Sequence, residues 1–446
     1  MGSGSQPTFP RSELLEDPAM ARLVGLHPQR QEGLWMQRVK VPGGALSADQ
    51  WRTLGRIARN LTPGTPLHLT TRQDVQVHDV TPERVGDVQR ALADAGLTAV
   101  GAGGDTLRNI IVCPCSGLQS GKPDLLPFAR QIQRTLEAVE GIRSLPRKFK
   151  ISLSCNNSCG RPWISDLGLV ADQRGSRWGF QVIVAGSLGA RPGPGMQLFD
   201  WLPAEDVQAL AVAAVDVFAS HGDRQQRNRA RLRHVRERLG DGAFARLLCE
   251  TFERTRCERS WPTPELKSAD EGFTERLTLN FTNGDVTPDV AEALADLAAN
   301  DRLRLRIDTC HRVILFAHDQ PELRHSLAIS EALAQATRPQ PTIVACPGTR
   351  WCPRALTDTN HLADRLRAEL PADVTVCISG CPNGCAHSTV ADIGLVGRLV
   401  TNDDQKVQVY DLWTGGGMGR LPRLATLVVK GLSPEEAVEQ VAAQAR

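Results

Sequence analysis

Gly380-Cys381-Pro382-Asn383-Gly384-Cys385, followed seven residues after its second cysteine by Asp392-Ile393-Gly394-Leu395-Val396, decides the fold because it occurs twice. Ser154-Cys155-Asn156-Asn157-Ser158-Cys159 and then Asp166-Leu167-Gly168-Leu169-Val170 repeat it with the same seven-residue offset. Upstream, Ile111-Val112-Cys113-Pro114 resembles Val344-Ala345-Cys346-Pro347. Downstream, Ala185-Gly186-Ser187-Leu188-Gly189 resembles Gly415-Gly416-Gly417-Met418-Gly419. Agreement in order and in gaps points to duplication. A pseudo-twofold molecule follows, with a cofactor at the join.

Outward from this repeat, Trp35 to Val41 and Leu67 to Val77 alternate like strands, while Ser47 to Asn60 and Thr81 to Ala95 carry helical periodicity. Strand, helix, strand, helix predicts an α/β or α+β unit with helices on one sheet face. The 446 residues carry 52 basic and 50 acidic side chains, so the net charge of +2 gives no global argument for nucleic acid or an anionic membrane. No stretch approaches the roughly 18 apolar residues of a membrane-spanning helix, and Met1 to Phe9 lacks the pattern of a secretory signal. Twelve cysteines without such a signal point to a reducing, cytoplasmic setting.

Cys346-x5-Cys352 with Cys381-x3-Cys385 supplies four thiolates, enough for a zinc site or a cubane cluster. Structural zinc sites pair cysteines at tighter spacing, so this pattern favours a larger object. Gly348, Gly380 and Gly384 let backbone amides approach the sulfurs. Between the repeats, Asp216 to Leu239 carries Arg224, Arg227, Arg229, Arg231, Arg233 and Arg236. Such a run is either a solvated face or an inward face for a polycarboxylate, since guanidinium forks match carboxylates bidentately.

Cys346-Pro-Gly-Thr-Arg-Trp-Cys352 and Gly380-Cys-Pro-Asn-Gly-Cys385 resemble the sirohaem and 4Fe-4S signature of the sulfite and nitrite reductase family. Three further segments resemble that family's basic motifs: Leu69-Thr-Thr-Arg72-Gln73-Asp-Val-Gln-Val-His78, Asp105-Thr-Leu-Arg108-Asn109 and Leu145-Pro-Arg147-Lys148-Phe-Lys150. The resemblance runs from about residue 20 to 420. It implies an α+β, internally duplicated sulfite reductase haemoprotein fold with ferredoxin-like half-domains and two sirohaem-flanking α/β lobes. The expected boundaries are a flexible 1–19, half-domains at 20–100 and 265–340, a first sirohaem and substrate lobe at 101–264, and a 4Fe-4S and sirohaem lobe at 341–446.

The resemblance further implies that Cys346, Cys352, Cys381 and Cys385 hold a 4Fe-4S cluster, with Cys385 also the axial ligand of sirohaem iron. Arg72, Arg108, Lys148 and Lys150 would grip a small oxyanion; Gln73, Asn109, Arg147, Arg227, Arg229 and Arg231 would serve the tetrapyrrole's carboxylates. His78 and His387 are ambiguous between proton donors and structural groups. The pair Lys148 and Lys150 resembles sulfite reductases, whereas nitrite-specialised relatives tend to carry asparagine at the second position. Six-electron reduction of sulfite is the expected reaction, with nitrite to ammonia as the alternative. A precorrin-3B synthase-like tetrapyrrole oxygenase, or an electron-transfer subunit, is a further alternative that the intact basic set disfavours. No ferredoxin-like cysteine run and no G-x-G-x-x-G are present. Electrons are therefore expected from an external ferredoxin or flavoprotein subunit. The first-repeat cysteines, Cys113, Cys115, Cys155 and Cys159, stand where a second metal centre would mirror the cluster, though Cys113-x-Cys115 departs from the x5 spacing.

Overall fold

The computed structural model describes residues 11–157, 159–269, 272–327, 330–402 and 404–445. The two repeats fold into sheets of one topology. In the first, Ile111–Val112, Ile151–Ser154 and Leu167–Arg174 run parallel, and Arg177–Val184 and Met196–Pro203 complete the sheet antiparallel. In the second, Thr342–Ala345, Thr375–Ser379 and Ile393–Asn402 are parallel, followed by antiparallel Gln405–Thr414 and Thr426–Leu432. Helices Leu126–Glu137 and Thr359–Glu369 make the equivalent crossovers from first strand to second. The repeated Asp-x-Gly has a steric cause. A Cβ on Gly168 would run into the Pro162 carbonyl, and one on Gly394 into the Ser388 carbonyl, so each strand admits the preceding loop only through glycine.

The ferredoxin-like half-domains share one core. Leu26–Pro28, Trp35–Val39, Val75–Val80 and Leu67–Leu69 form a sheet that Asp285–Val286 extends from the other half-domain, while Glu275–Asn280, Arg312–Ala317 and Arg304–Ile307 form the second sheet. Helix Ala48–Asn60, capped by a Ser47 and Gln50 capping box, crosses Pro288–Ala298 at Gly55, whose Cβ position lies 3.1 Å from the Ala291 methyl. Leu54, Ile57, Leu294 and Leu315 are almost fully buried in this joint core. Covering apolar residues of both halves at once makes them one folding unit.

Three expectations change. The Leu67 to Val77 strand breaks at a turn over 70–74, where Gln73 takes φ 61° and its neighbour Arg72 turns toward the repeat lobes. The basic run is not one inward face: Arg227 and Arg229 lie in an exposed turn, and only Arg231 and Arg233 are buried, at the start of helix Leu232–Leu239. Residues 1–10 lie outside the described residues. The rest of the segment expected to be flexible holds helix Arg11–Glu16 and the start of Pro18–Leu23, with Leu14 buried.

Candidate active site

All four signature cysteines sit beyond the carboxyl ends of adjacent parallel strands, where open α/β sheets place their ligands. Cys346 follows Thr342–Ala345 directly, Cys352 ends the short helix Gly348–Trp351, and Cys381 and Cys385 follow Thr375–Ser379. Gly380 donates its amide to Cys346 Sγ at 3.2 Å, as the glycine there allows. Burial raises the thiols of Cys346, to about 12, of Cys352 and of Cys381, and the charge at Cys385 adds to each. The four sulfurs thus share one electrostatic neighbourhood. No three of them crowd together: among the described residues the one group of three ligand-type side chains within 4.8 Å of one another is Cys113, Cys115 and Cys155. Four thiols spread about a common space suit a cubane better than a single ion. Cys385 is the exposed member, and Thr71 Oγ1 ties its carbonyl at 2.9 Å to the turn carrying Arg72.

A cage of cations faces this loop. A small recess is lined by Arg72, Ile111, Lys150, Arg161, Ser165 and His387. Arg72 donates to the Asn109 carbonyl, and Arg108 donates to Ala102 and Gly104 carbonyls at 2.7 Å each; the Nε of both arginines is buried without a partner. Burial lowers Arg72 to about 10 and Arg108 to about 9, with neighbouring arginines adding to each. Lys148 is pushed down to about 7 by burial, then by Arg231 and Arg108. Lys150 falls well below the usual range through burial, Lys148 and Arg72. Neither lysine has an ion-pair partner among the described residues, and among the strongest influences on each Cys385 acts to raise it. Half-buried cations without an ion-pair partner among the described residues, together with orphaned N–H groups, make a site for anions. The residues present therefore fit a bound polyanion.

The predicted cofactor-binding residues separate. Gln73 is spent on structure: its amide nitrogen donates to Val112 and Ile307 carbonyls, both at 2.9 Å, and its oxygen accepts from the Val112 amide at 3.0 Å. Asn109 donates to Val41 and Arg72 carbonyls and keeps a buried, unpartnered oxygen. Arg147 and Arg227 share Asp105 at 3.3 and 2.7 Å. Arg231 pairs with fully buried Asp166 at 2.6 Å. Arg229 is exposed. His78 is a structural group: it stacks on Trp351 at 3.8 Å, its Nδ1 bonds Gln29 at 3.0 Å, and the Gln76 amide donates to its Nε2. That stack seats the first half-domain on the Cys346–Cys352 loop. Arg161 was not anticipated. Its signal was available, since it stands two residues past Cys159 as His387 stands past Cys385.

The family profile described as nitrite and sulphite reductase 4Fe-4S domain matches residues 103–255 and 340–445, and that described as nitrite/sulfite reductase ferredoxin-like half domain matches 27–95. The chain belongs to the nitrite and sulfite reductase family. It is 28% identical to the assimilatory ferredoxin-dependent nitrite reductase of Haloferax mediterranei, over 92% of this chain and 79% of that one. It is equally 28% identical to sulfite reductase [ferredoxin] 2 of Mycolicibacterium paratuberculosis, over 90% and 79%. The solved structure of the Mycobacterium tuberculosis NirA protein shares the fold, with TM-score 0.82 at 24% identity over 96% of this chain and 86% of that one. As members of this family are, the chain is an oxidoreductase, with the duplicated fold that its repeat predicts. No helix among the described residues is long and apolar enough to cross a membrane.

Proposed function

We propose that this enzyme reduces sulfite to sulfide with six electrons from a ferredoxin, each sulfite dianion taking up those electrons and eight protons to give one hydrogen sulfide and three waters. The observation that carries it is the pair Lys148 and Lys150, half-buried beside Arg72, Arg108 and Arg231 with no ion-pair partner among the described residues. A dianion gains more than a monoanion from each added cation in a dry site, which favours sulfite over nitrite. Cys346, Cys352, Cys381 and Cys385 would hold the 4Fe-4S cluster, and the exposed Cys385 thiolate would also ligate sirohaem. Those two groups, when bound, would relay the ferredoxin's electrons and supply the redox-active iron for the reduction.

The chain's own work is electrostatic. Arg72 Nε, Arg108 Nε and the side-chain nitrogens of Lys148 and Lys150 are donors held in place before the substrate arrives, so they bind its oxygens without reorganising. Lys148, poised near neutrality, gives up a proton to a departing oxygen more readily than an ordinary lysine would. Asn109, Arg147 and Arg229 would meet the tetrapyrrole's carboxylates, and Arg227 and Arg231 would do so only by sharing or leaving Asp105 and Asp166, whereas Gln73 supports the turn that carries Arg72. The ferredoxin donor is supported by the relatives, whose names state that dependence.

The test is anaerobic steady-state reduction of sulfite and of nitrite by the loaded enzyme and by Lys150→Asn. The expected result is a higher kcat/KM for sulfite, falling in the variant at least tenfold more than that for nitrite. A wild-type preference for nitrite that Lys150→Asn leaves unchanged would overturn the substrate assignment.

A further inference from the structure

The first repeat lobe carries its own cysteines at the strand ends, in a different arrangement. Cys113 follows Ile111–Val112 as Cys346 follows its strand, and Cys155 follows Ile151–Ser154. Here the sulfurs touch. Cys113 Sγ lies 3.2 Å from Cys115 Sγ, Cys115 Sγ lies 3.2 Å from Cys155 Sγ, and all three fall within 4.8 Å of one another. Cys159, four residues after Cys155 on the same loop, stands outside this group of three.

Distance separates the possible occupants. A metal–sulfur bond of about 2.3 Å in a tetrahedral site puts neighbouring thiolates about 3.8 Å apart, so a small outward shift from 3.2 Å seats one ion. A cubane instead puts each thiolate on a different iron and spreads them, as the signature cysteines are spread. A disulfide would use two of these sulfurs and leave the others packed against it.

We infer that Cys113, Cys115 and Cys155, with Cys159 drawn in from the loop it shares with Cys155 as the fourth ligand, form a mononuclear thiolate site for a soft divalent ion, Zn²⁺ in the first place. Binding exchanges four thiol protons for the metal, Zn²⁺ + 4 RSH giving [Zn(SR)4]²⁻ + 4 H⁺. Lys122 and Arg161 stand near enough to act electrostatically on Cys115 and Cys159 respectively, which offsets the dianion. Access is open: a cleft of about 440 Å³ reaches Cys155 between Lys122, Pro123, Asn156 and Trp178. The site is structural. By closing the loop that ends at Cys159, the ion would set the position of Arg161, two residues on, against His387.

The experiment is elemental analysis by plasma mass spectrometry of the anaerobically purified holoenzyme, with iron, zinc and chain measured together, for wild type and for Cys115→Ser/Cys155→Ser. Zinc stoichiometric with the chain, lost in the double variant while iron stays constant, is the expected result. Because the variant can misfold, the wild-type enzyme is also titrated with a mercurial and with an indicator for released zinc. Release in step with thiol modification supports the site. Wild-type zinc below a tenth of the chain, iron that falls with the double variant, or a Cys115–Cys155 disulfide in a non-reducing peptide map each overturns it; the second result would assign a second iron–sulfur cluster instead.

Discussion

Arg161 donates a hydrogen bond to Nδ1 of His387, and the two residues hold the same place in the two copies of the repeat. The pseudo-twofold relation of the lobes therefore runs through the recess that faces the cation cage. The lobes interlock around it: Gly160 donates to the Met418 carbonyl at 2.8 Å, and a Cβ added to Gly384 would lie 3.5 Å from the Gly189 amide nitrogen. Each cysteine loop packs on the other lobe's glycine-rich loop, so neither half of the recess is complete alone.

Replacing Arg161 with methionine removes both a cation and the donor to His387. A hydrogen bond to a charged group is worth about 1.5–3 kcal/mol. The expected fall in kcat/KM for the oxyanion is accordingly on the order of tenfold to a hundredfold, with the visible spectrum retained. Unchanged kinetics would remove Arg161 from the anion site.

Lys148 gives a pH dependence whose sign follows from its lowered value of about 7. The ammonium is charged below that pH and lost above it, so anion affinity is greatest on the acid side. Nitrite, which does not itself titrate near neutrality, should show KM rising by up to about tenfold per pH unit above the break. A bound anion stabilises the ammonium and moves the break upward. Lys148→Gln should flatten the profile, and a profile identical to wild type would exclude this lysine.

Asp166 and Arg231 form a buried pair at 2.6 Å, and Asp166 also accepts the Lys150 amide at 2.8 Å. Removing one partner of such a pair strands a buried charge, at a cost of about 3–5 kcal/mol. Asp166→Ala should lower the urea midpoint strongly, and Asp166→Ala/Arg231→Leu should recover part of the loss. Equal midpoints for wild type and Asp166→Ala would show that the pair contributes little.

Gly348 sits at φ 57°, and a Cβ there would lie 2.8 Å from the Thr359 amide and closer still to its hydroxyl. Gly348→Ala must therefore shift the loop between Cys346 and Cys352, and the expected outcome is reduced iron per chain in the purified protein. Gly64→Ala, also at positive φ but in open space, is the control that should keep its iron.

What the sequence determined by itself was local and periodic: the duplicated cysteine and Asp-x-Gly motifs, the Ser47-capped helix, the four signature thiols and the set of basic residues. These are legible because strand alternation, capping and steric need for glycine act within a few residues of chain. Which basic residues remain available was decided only by the tertiary structure. Arg227 is taken up by Asp105 and Arg231 by Asp166, Gln73 closes a turn on the Val112 and Ile307 backbone, and Lys148 and Lys150 are left without counter-charge. Arg161 reaches the site across 226 positions of sequence. The Arg161–His387 contact depends on how the two repeat lobes meet, and the Arg227–Asp105 and Arg231–Asp166 pairs on how elements 122 and 65 residues apart pack within one lobe, so no spacing along the chain encodes them.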